Sequence, residues 1–510
     1  MPDANTGLAA TGSAHPHART RPGFMTGRIP TGIRMCSVLV LLFSVSLIPP
    51  VLVAMQFGEA TQVHTFINAM LLLVGTGVGG LLATRQKSTP LRQRDGFLVV
   101  VLFWVVFAAC GAVPFVIDTG VHMRFVDAMF ESVSGITTTG ASVLSGLDAQ
   151  PRSIIYYRAQ LNFLGGLGIV VLAMALLPYL GVGGAKLYQS ETPGPMKEDR
   201  MTPRLADTAK SLWLIYSAIT LICALAYHLA GVPWFDAVCY SMATMSLGGF
   251  STHDASLGLY DSAAVEIVGG VFSLLAAANF ALYFRMIQTR SIRPWLVDLE
   301  FKFFLKVFGV VAAITVVTLW LSGTFAPWEA AYHGFFQAAS VFTGNGINTV
   351  GYPGGWPAAV CMLLIVSSFF GGCVGSTSGA IKSMRVLLLV REVKREIMQL
   401  IHPNAQLSVR LHRRSVPDTA VQAVVTFVSL YMISAGVFTL LLCFTGLDPV
   451  SAFATTAGCL NNMGIGYGET GGGFGGINDA AKWLMSLAMI WGRLEVLPVL
   501  VILSRSYWRY

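Results

Sequence analysis

The chain has 510 residues, of which 54% are hydrophobic and only 11% charged, with a formal net charge of +8. A soluble protein carries about 25% charged residues, so this composition excludes a soluble globular domain and predicts an all-α polytopic membrane protein, whose length counts spans. The positive balance reads as membrane topology rather than nucleic-acid binding, and eight cysteines, scattered singly with no CxxC pair, read as small buried hydrophobes.

Residues 1–35 are polar, carry Arg19, Arg21, Arg28 and Arg34, and read as a cytoplasmic tail. The apolar run 36–56 is long enough to span, and no signal-peptide cleavage site follows it. Further runs at 66–84, 97–117, 154–180, 207–231, 263–288, 300–322, 357–380, 417–445 and 482–503 bring the expected number of spans to ten. With the N-terminus inside and each span crossing once, 27 of the 33 Lys and Arg fall on the inner side, in the connections holding Arg85 to Arg94, Lys186 to Lys210, Arg285 to Lys306 and Arg385 to Arg414, and beyond the last span at Arg505 and Arg509. Only Arg124, Arg152, Arg158 and Lys482 fall outside, which predicts cytoplasmic N- and C-termini.

The outer connections after spans three, five, seven and nine each hold a second, shorter apolar run: Phe125 to Ile136, Trp234 to Met245, Trp328 to Phe342 and Pro449 to Leu460. Runs of this length suit re-entrant helices. Each ends in a small, polar, Gly-bearing loop: TTTGAS, SLGGFST, TGNGINT and NNMGIGYG. Such loops are tolerated at membrane depth only when buried in protein or lining a water-filled path. Their carbonyls and hydroxyls are ligands for a dehydrated cation.

Gly140, Gly249, Gly346 and Gly464 anchor the four loops, and Asp127, Asp236, His333 and Ser451 stand thirteen residues before them, as expected helix N-caps. The pattern is one unit of span, half-helix, loop and span, repeated four times, which predicts pseudo-fourfold packing with the half-helix C-termini aimed at an axis. Domain limits follow: tail 1–35, two additional spans 36–95, and units 96–205, 206–298, 299–415 and 416–510.

These loops resemble the filter loops of the Trk/Ktr/HKT superfamily of potassium transport proteins, and the chain resembles its bacterial TrkH-type transmembrane subunit. The two extra N-terminal spans fit that subgroup, as do Leu187–Pro195, Gly249–Asp254, Gly371–Gly379, His402–Ala405 and Gly492–Glu495. The resemblance implies potassium uptake across the bacterial inner membrane through a central pore, a homodimer, and a cytoplasmic nucleotide-binding regulatory ring of TrkA type. K+ is then the transported ion and no cofactor is bound by this chain. The implied K+ ligands in the filter are Thr137, Thr138, Thr139 and Gly140; Ser246, Leu247, Gly248 and Gly249; Thr343, Gly344, Asn345 and Gly346; and Asn461, Asn462, Met463 and Gly464. In the second loop Gly248 and Gly249 compete for the aligned place, and Gly249 fits the Gly-x-polar pattern better. The third loop departs from the family by the extra Gly344 and by Asn345, which puts strong selectivity over Na+ in question.

Gly371, Gly372, Gly375, Ser376, Thr377, Ser378 and Gly379 interrupt the eighth span. They read as a gating loop beneath the filter, with close helix packing the alternative. Lys382 either holds that loop or snorkels inward. Arg493, expected near the middle of the tenth span, either opposes ion passage near the axis or pairs with a distant acid. Glu266, Asn279 and Asn162 read as helix–helix hydrogen bonders, and His253 and Asp254 as a solvated loop or a cation-attracting mouth. No nucleotide-binding GKS/T motif, HExxH or activated nucleophile appears, so no enzyme activity is expected. The alternative function is a secondary symporter coupling K+ to H+ or Na+. Membrane lipid is the competing partner for the inner Lys/Arg-rich loops.

Overall fold

The computed structural model describes residues 24–84, 95–171, 202–411 and 414–505. Outside them lie most of the expected tail with Arg19 and Arg21, the charges Arg85, Lys87, Arg92, Arg94, Lys186, Lys197, Arg200, Arg413 and Arg509, the Leu187–Pro195 motif and the end of the fourth expected span.

The helices in chain order are α1 Phe24–Val45, α2 Ile48–Gln56, α3 Ala60–Ala83, α4 Asp95–Ile117, α5 Phe125–Ile136, α6 Arg152–Val171, α7 Thr202–Leu229, α8 Trp234–Ser246, α9 Ala263–Ala276 and α10 Phe280–Thr289. There follow α11 Arg293–Val297, α12 Leu299–Leu321, α13 Pro327–Thr343, α14 Ala358–Ser367, α15 Ser383–Ile401, α16 Asp418–Phe444, α17 Pro449–Leu460, α18 Asp479–Arg493 and α19 Leu497–Leu503. A two-stranded hairpin, β1 Arg410–Leu411 with β2 Arg414–Ser415, is the sole sheet among the described residues. The first helix starts at Phe24, inside the stretch expected as tail.

Six stretches among the described residues are long and apolar enough to cross a membrane: 32–56, 60–83, 98–117, 209–229, 299–321 and 418–444. Of the other four expected spans, the fourth runs out of the described residues and the sixth, eighth and tenth are interrupted. The sixth bends by 88° between α9 and α10. Asn279 causes the bend by capping α10, its Oδ1 accepting from Ala281 N at 2.9 Å. The eighth breaks over 368–382 between α14 and α15, and the tenth breaks after Arg493, where Glu495 and Val496 take left-handed φ of 54° and 59°. The first two breaks satisfy one another. Cys373 N donates to Ala277 O at 2.8 Å, and Phe280 N to Gly375 O at 3.1 Å, so helix-end groups of the two breaks pair with each other.

The short helices α5, α8, α13 and α17 have the expected limits to within one residue, and the halves nearest their loops are buried. Pro327 and Pro449 open two of them at the position where a missing N–H costs nothing. The expected caps are not the caps. Arg124, Pro233, Ala326 and Asp448 precede these helices, so Asp127, Asp236 and Ser451 lie in the first turn and His333 deeper. Only Asp448 caps with its side chain, accepting from Val450 N at 3.0 Å and Ser451 N at 3.1 Å.

Each short helix packs against the long helix before it: α5 on α4, α8 on α7, α13 on α12, α17 on α16. Each helix that leaves a loop packs on the next short helix: α6 on α8, α9 on α13, α14 on α17. The last, α18, packs back on α5.

Candidate functional site

All four short helices end in the same hydrogen-bonded motif. Thr139 N reaches back to Ser134 O (2.8 Å), Gly248 N to Ala243 O (2.9 Å), Asn345 N to Ser340 O (2.7 Å) and Met463 N to Gly458 O (2.8 Å). This five-residue return requires a left-handed residue just before it. Those residues are Thr138, Leu247, Gly344 and Asn462, with φ of 50°, 53°, 83° and 54°. Two positions further on, Gly140, Gly249, Gly346 and Gly464 are left-handed again, at 83°, 74°, 78° and 75°. Gly249 rather than Gly248 therefore holds the aligned place. The extra Gly344 stands where the other loops hold Thr, Leu or Asn in a costly conformation, and the third loop follows the same path.

The four glycines close a ring in chain order. A Cβ built on Gly140 would lie 2.8 Å from Gly249 Cα, one on Gly249 2.5 Å from Asn345 O, one on Gly346 3.0 Å from Met463 C, and one on Gly464 2.7 Å from Gly140 C. Each loop backbone thus abuts the next with no room for a side chain. The hydroxyls of Thr137, Ser246 and Thr343 donate back to Val133, Ala243 and Ala339 carbonyls at 2.7, 3.0 and 2.7 Å. Their protons are committed to helix ends, so backbone carbonyls are left as the main polar groups of the ring.

A brace missed in the sequence stands nine residues before each glycine. Glu131 accepts from Ser142 Oγ (2.9 Å) and Val143 N (3.0 Å), Tyr240 pairs with Ser251 Oγ (2.9 Å), Gln337 accepts from Thr349 N (3.0 Å), and Thr455 donates to Thr470 Oγ1 (3.0 Å). Each ties the returning arm of a loop to its own helix. Counting back from the glycines would have found them, since all four side chains can hydrogen-bond. Arg158 completes the first brace. It is buried, bonds Glu131 at 2.7 Å, donates to Ser251 O of the second loop at 3.0 Å, and stacks 4.3 Å over Phe250.

The 371–382 segment lies against the ends of these helices. Thr377 Oγ1 donates to Met245 O at 3.1 Å and Ser378 Oγ to Thr343 O at 2.7 Å. A Cβ on Gly379 would meet Asn461 C at 3.1 Å. Gly371, Gly375, Ala380 and Lys382 are left-handed, so the segment is not helical. Ser376 closes its turn onto Cys373 O at 2.6 Å, and Ser378 Oγ accepts from Gly372 N at 2.8 Å. Lys382 is buried and donates to the Ser378 carbonyl, holding the loop rather than snorkelling. Glu300 Oε1 accepts from Val374 N (2.7 Å) and Met384 N (3.2 Å), joining both legs of the segment.

Arg493 is the last residue of α18, at the break near the middle of the tenth expected span. Its Nη2 donates to Thr138 Oγ1 and, at 3.0 Å, to Thr377 O. These partners are uncharged, so the expected alternative of a pair with an acid is not what the structure has. Glu495 pairs instead with Arg385 at 2.5 Å. Asn462 Nδ2 bridges Thr139 Oγ1 and Met489 O, each at 2.9 Å.

Glu266 bonds His333 at 2.9 Å across two helices, as expected, whereas Asn279 is a helix cap and Asn162 has no partner for either amide atom among the described residues. His253 and Asp254 are tied down rather than free: His253 bonds Asp148, and Asp254 accepts from Leu147 N at 3.0 Å. The hydrogen bond from His253 holds the Asp148 carboxyl below its usual range. All eight cysteines are free thiols.

The TrkH family profile, described as a cation transport protein, matches residues 62–510. The chain is 46% identical to the Trk system potassium uptake protein TrkG of Escherichia coli strain K12, over 95% of this chain and 99% of that protein. It is 41% identical to the Trk system potassium uptake protein TrkH of Halomonas elongata, over 94% and 98% of the two chains. The fold matches the crystal structure of the potassium transporter TrkH from Vibrio parahaemolyticus with a TM-score of 0.88 at 39% identity, over 94% of this chain and 100% of that one. These relatives are named as transport proteins, not enzymes. This mostly helical, multi-pass membrane protein belongs to the TrkH family of cation transport proteins.

Proposed function

We propose that this chain is the ion-conducting subunit of a bacterial potassium uptake system in the inner membrane. Four units, 96–205, 206–298, 299–415 and 416–510, surround the pore in pseudo-fourfold arrangement, after two additional spans within 36–95. Carbonyls of the loops ending in Gly140, Gly249, Gly346 and Gly464 replace the hydration shell of K+. The C-terminal ends of α5, α8, α13 and α17 add a partial negative charge that favours a cation beneath them. The 371–382 loop obstructs the path below the filter, and Arg493 opposes the ion electrostatically. Opening is controlled by a TrkA-type cytoplasmic nucleotide-binding ring that docks on the basic inner segment around Arg391 to Arg414. Two copies of the chain assemble, with both termini cytoplasmic.

The closed ring of left-handed glycines, each against the backbone of the next loop, carries this reading. The names of the relatives support potassium as the ion. The test is tracer flux in proteoliposomes under separately imposed K+, Na+ and pH gradients. K+ should run down its own gradient with no H+ or Na+ gradient present. Flux that requires either co-gradient would make the protein a symporter instead.

A further inference from the structure

Two successive loops treat the residue before the filter glycine in opposite ways. Gly248 and Asn345 hold the same place, each returning its N–H five residues back, to Ala243 and Ser340. In the third loop the side chain there is Asn345's own carboxamide, fully buried, with Nδ2 donating to Ser273 Oγ on α9 at 2.8 Å. In the second loop there is no side chain. A Cβ built on Gly248 would lie 2.5 Å from Cγ and 2.6 Å from Nδ2 of Asn162. Asn162 is carried by α6, which packs on α8 as α9 packs on α13. The third loop therefore brings the carboxamide and the helix a small residue, whereas at the second loop the helix brings the carboxamide and the loop is bare.

Asn162 is fully buried, and neither its Oδ1 nor its Nδ2 has a hydrogen-bond partner among the described residues; Asn345 Oδ1 is likewise unpartnered. Burying an unpaired amide is costly, and an apolar side chain of similar volume would pack there without that cost. Packing alone therefore does not account for an amide at this place.

We propose that Asn162 is a specificity-determining residue of the pore, its carboxamide standing in for the missing side chain of the second filter loop at Gly248. It packs against the Gly248 backbone, whose carbonyl faces Gly140, and presents a dipole to the cation path. The inference rests on the potassium-pore reading above.

The test uses the full-length protein in proteoliposomes and reads the K+/Na+ permeability ratio. Asn162→Leu keeps the volume and removes the dipole, and the ratio should fall about fivefold. Gly248→Asn alone forces two carboxamides into one space and should cut flux by about tenfold or more. Asn162→Ser with Gly248→Asn rebuilds the third loop's pairing in the second and should return the ratio to within about twofold of wild type. An unchanged ratio in Asn162→Leu, or a double variant no better than Gly248→Asn, overturns the proposal. A wild type with no preference for K+ overturns the pore reading and this inference together, and that result is visible before any variant is made.

Discussion

Arg493 donates through Nη2 to the carbonyl of Thr377 at 3.0 Å, joining the end of α18 to the non-helical segment that interrupts the third unit. The same nitrogen also donates to Thr138 in the first glycine loop. One guanidinium thus ties the first glycine loop, the 371–382 segment and the end of α18 together, and its Nε has no partner among the described residues.

At about 6 Å and an effective dielectric of 20, two like unit charges repel by roughly 3 kcal/mol. That slows passage on the order of a hundredfold. Arg493→Ala, or removal of Val374 to Ser378, should raise basal K+ flux without the regulatory partner by up to that factor. Arg493→Lys, which keeps the charge, should raise it much less. Flux that stays partner-dependent in the first two variants would show that neither element is the gate.

Gly140 and Gly344 have the same φ of 83° but different surroundings. A side chain on Gly140 collides with the second loop's backbone, while one on Gly344 meets nothing nearer than 3.7 Å. Gly140→Ser should therefore lower the K+/Na+ permeability ratio by about tenfold or more, because the ring must open. Gly344→Ala should cost only about 1–2 kcal/mol of stability and leave the ratio nearly unchanged, since Thr138, Leu247 and Asn462 already occupy that conformation. Equal loss of selectivity in both variants would contradict the ring geometry.

The four short helices and the four loop glycines were legible because composition and spacing repeat along the chain. The breaks were only partly so. Gly371 to Gly379 announces its own interruption, but the 88° bend after α9 depends on Asn279 capping α10 and on Cys373 bonding Ala277, a contact between distant segments. The N-cap expectation failed because Asp127, Asp236 and Ser451 do other work within the first turn: Asp127 pairs with Lys482 at 2.6 Å, Asp236 accepts from Tyr260 at 3.2 Å, and Ser451 accepts from Glu469 N at 2.9 Å. Arg158 reads as an outer-side charge in sequence, and only the fold places it against Glu131.

Glu300 holds both legs of the 371–382 segment through one carboxyl oxygen. A typical hydrogen bond contributes about 0.5–1.5 kcal/mol net, so losing two is worth roughly tenfold. Glu300→Ala should loosen the segment and raise partner-independent K+ flux roughly tenfold, whereas Glu300→Gln, which keeps an acceptor, should stay near wild type. The two fluxes measured side by side check this, and equal behaviour would dismiss the clamp.

Glu131 and Arg158 are both buried, so removing one leaves the other charge uncompensated. Glu131→Ala should destabilise the protein by about 3–5 kcal/mol. Glu131→Leu combined with Arg158→Leu should be less damaging than the sum of the single changes. Thermal unfolding in detergent, followed by size-exclusion profile, reads both, and strict additivity would remove the pair's role as a unit.

The basic segment around Arg391 to Arg414 includes the β1–β2 hairpin, held to α15 by Arg391 donating to the Arg410 carbonyl. If this surface docks the TrkA-type ring, changing Arg410, Arg413 and Arg414 together to Ala should abolish co-purification of that partner. Retained binding would leave these arginines to anionic lipid.

The proposed function makes the four glycine loops one cation site. Crystals grown in Rb+, a K+ substitute with an anomalous X-ray signal, would reveal it. An anomalous peak is expected on the axis of the ring, ligated by carbonyls from all four loops. Rb+ bound elsewhere, with no peak inside the ring of Gly140, Gly249, Gly346 and Gly464, would contradict it.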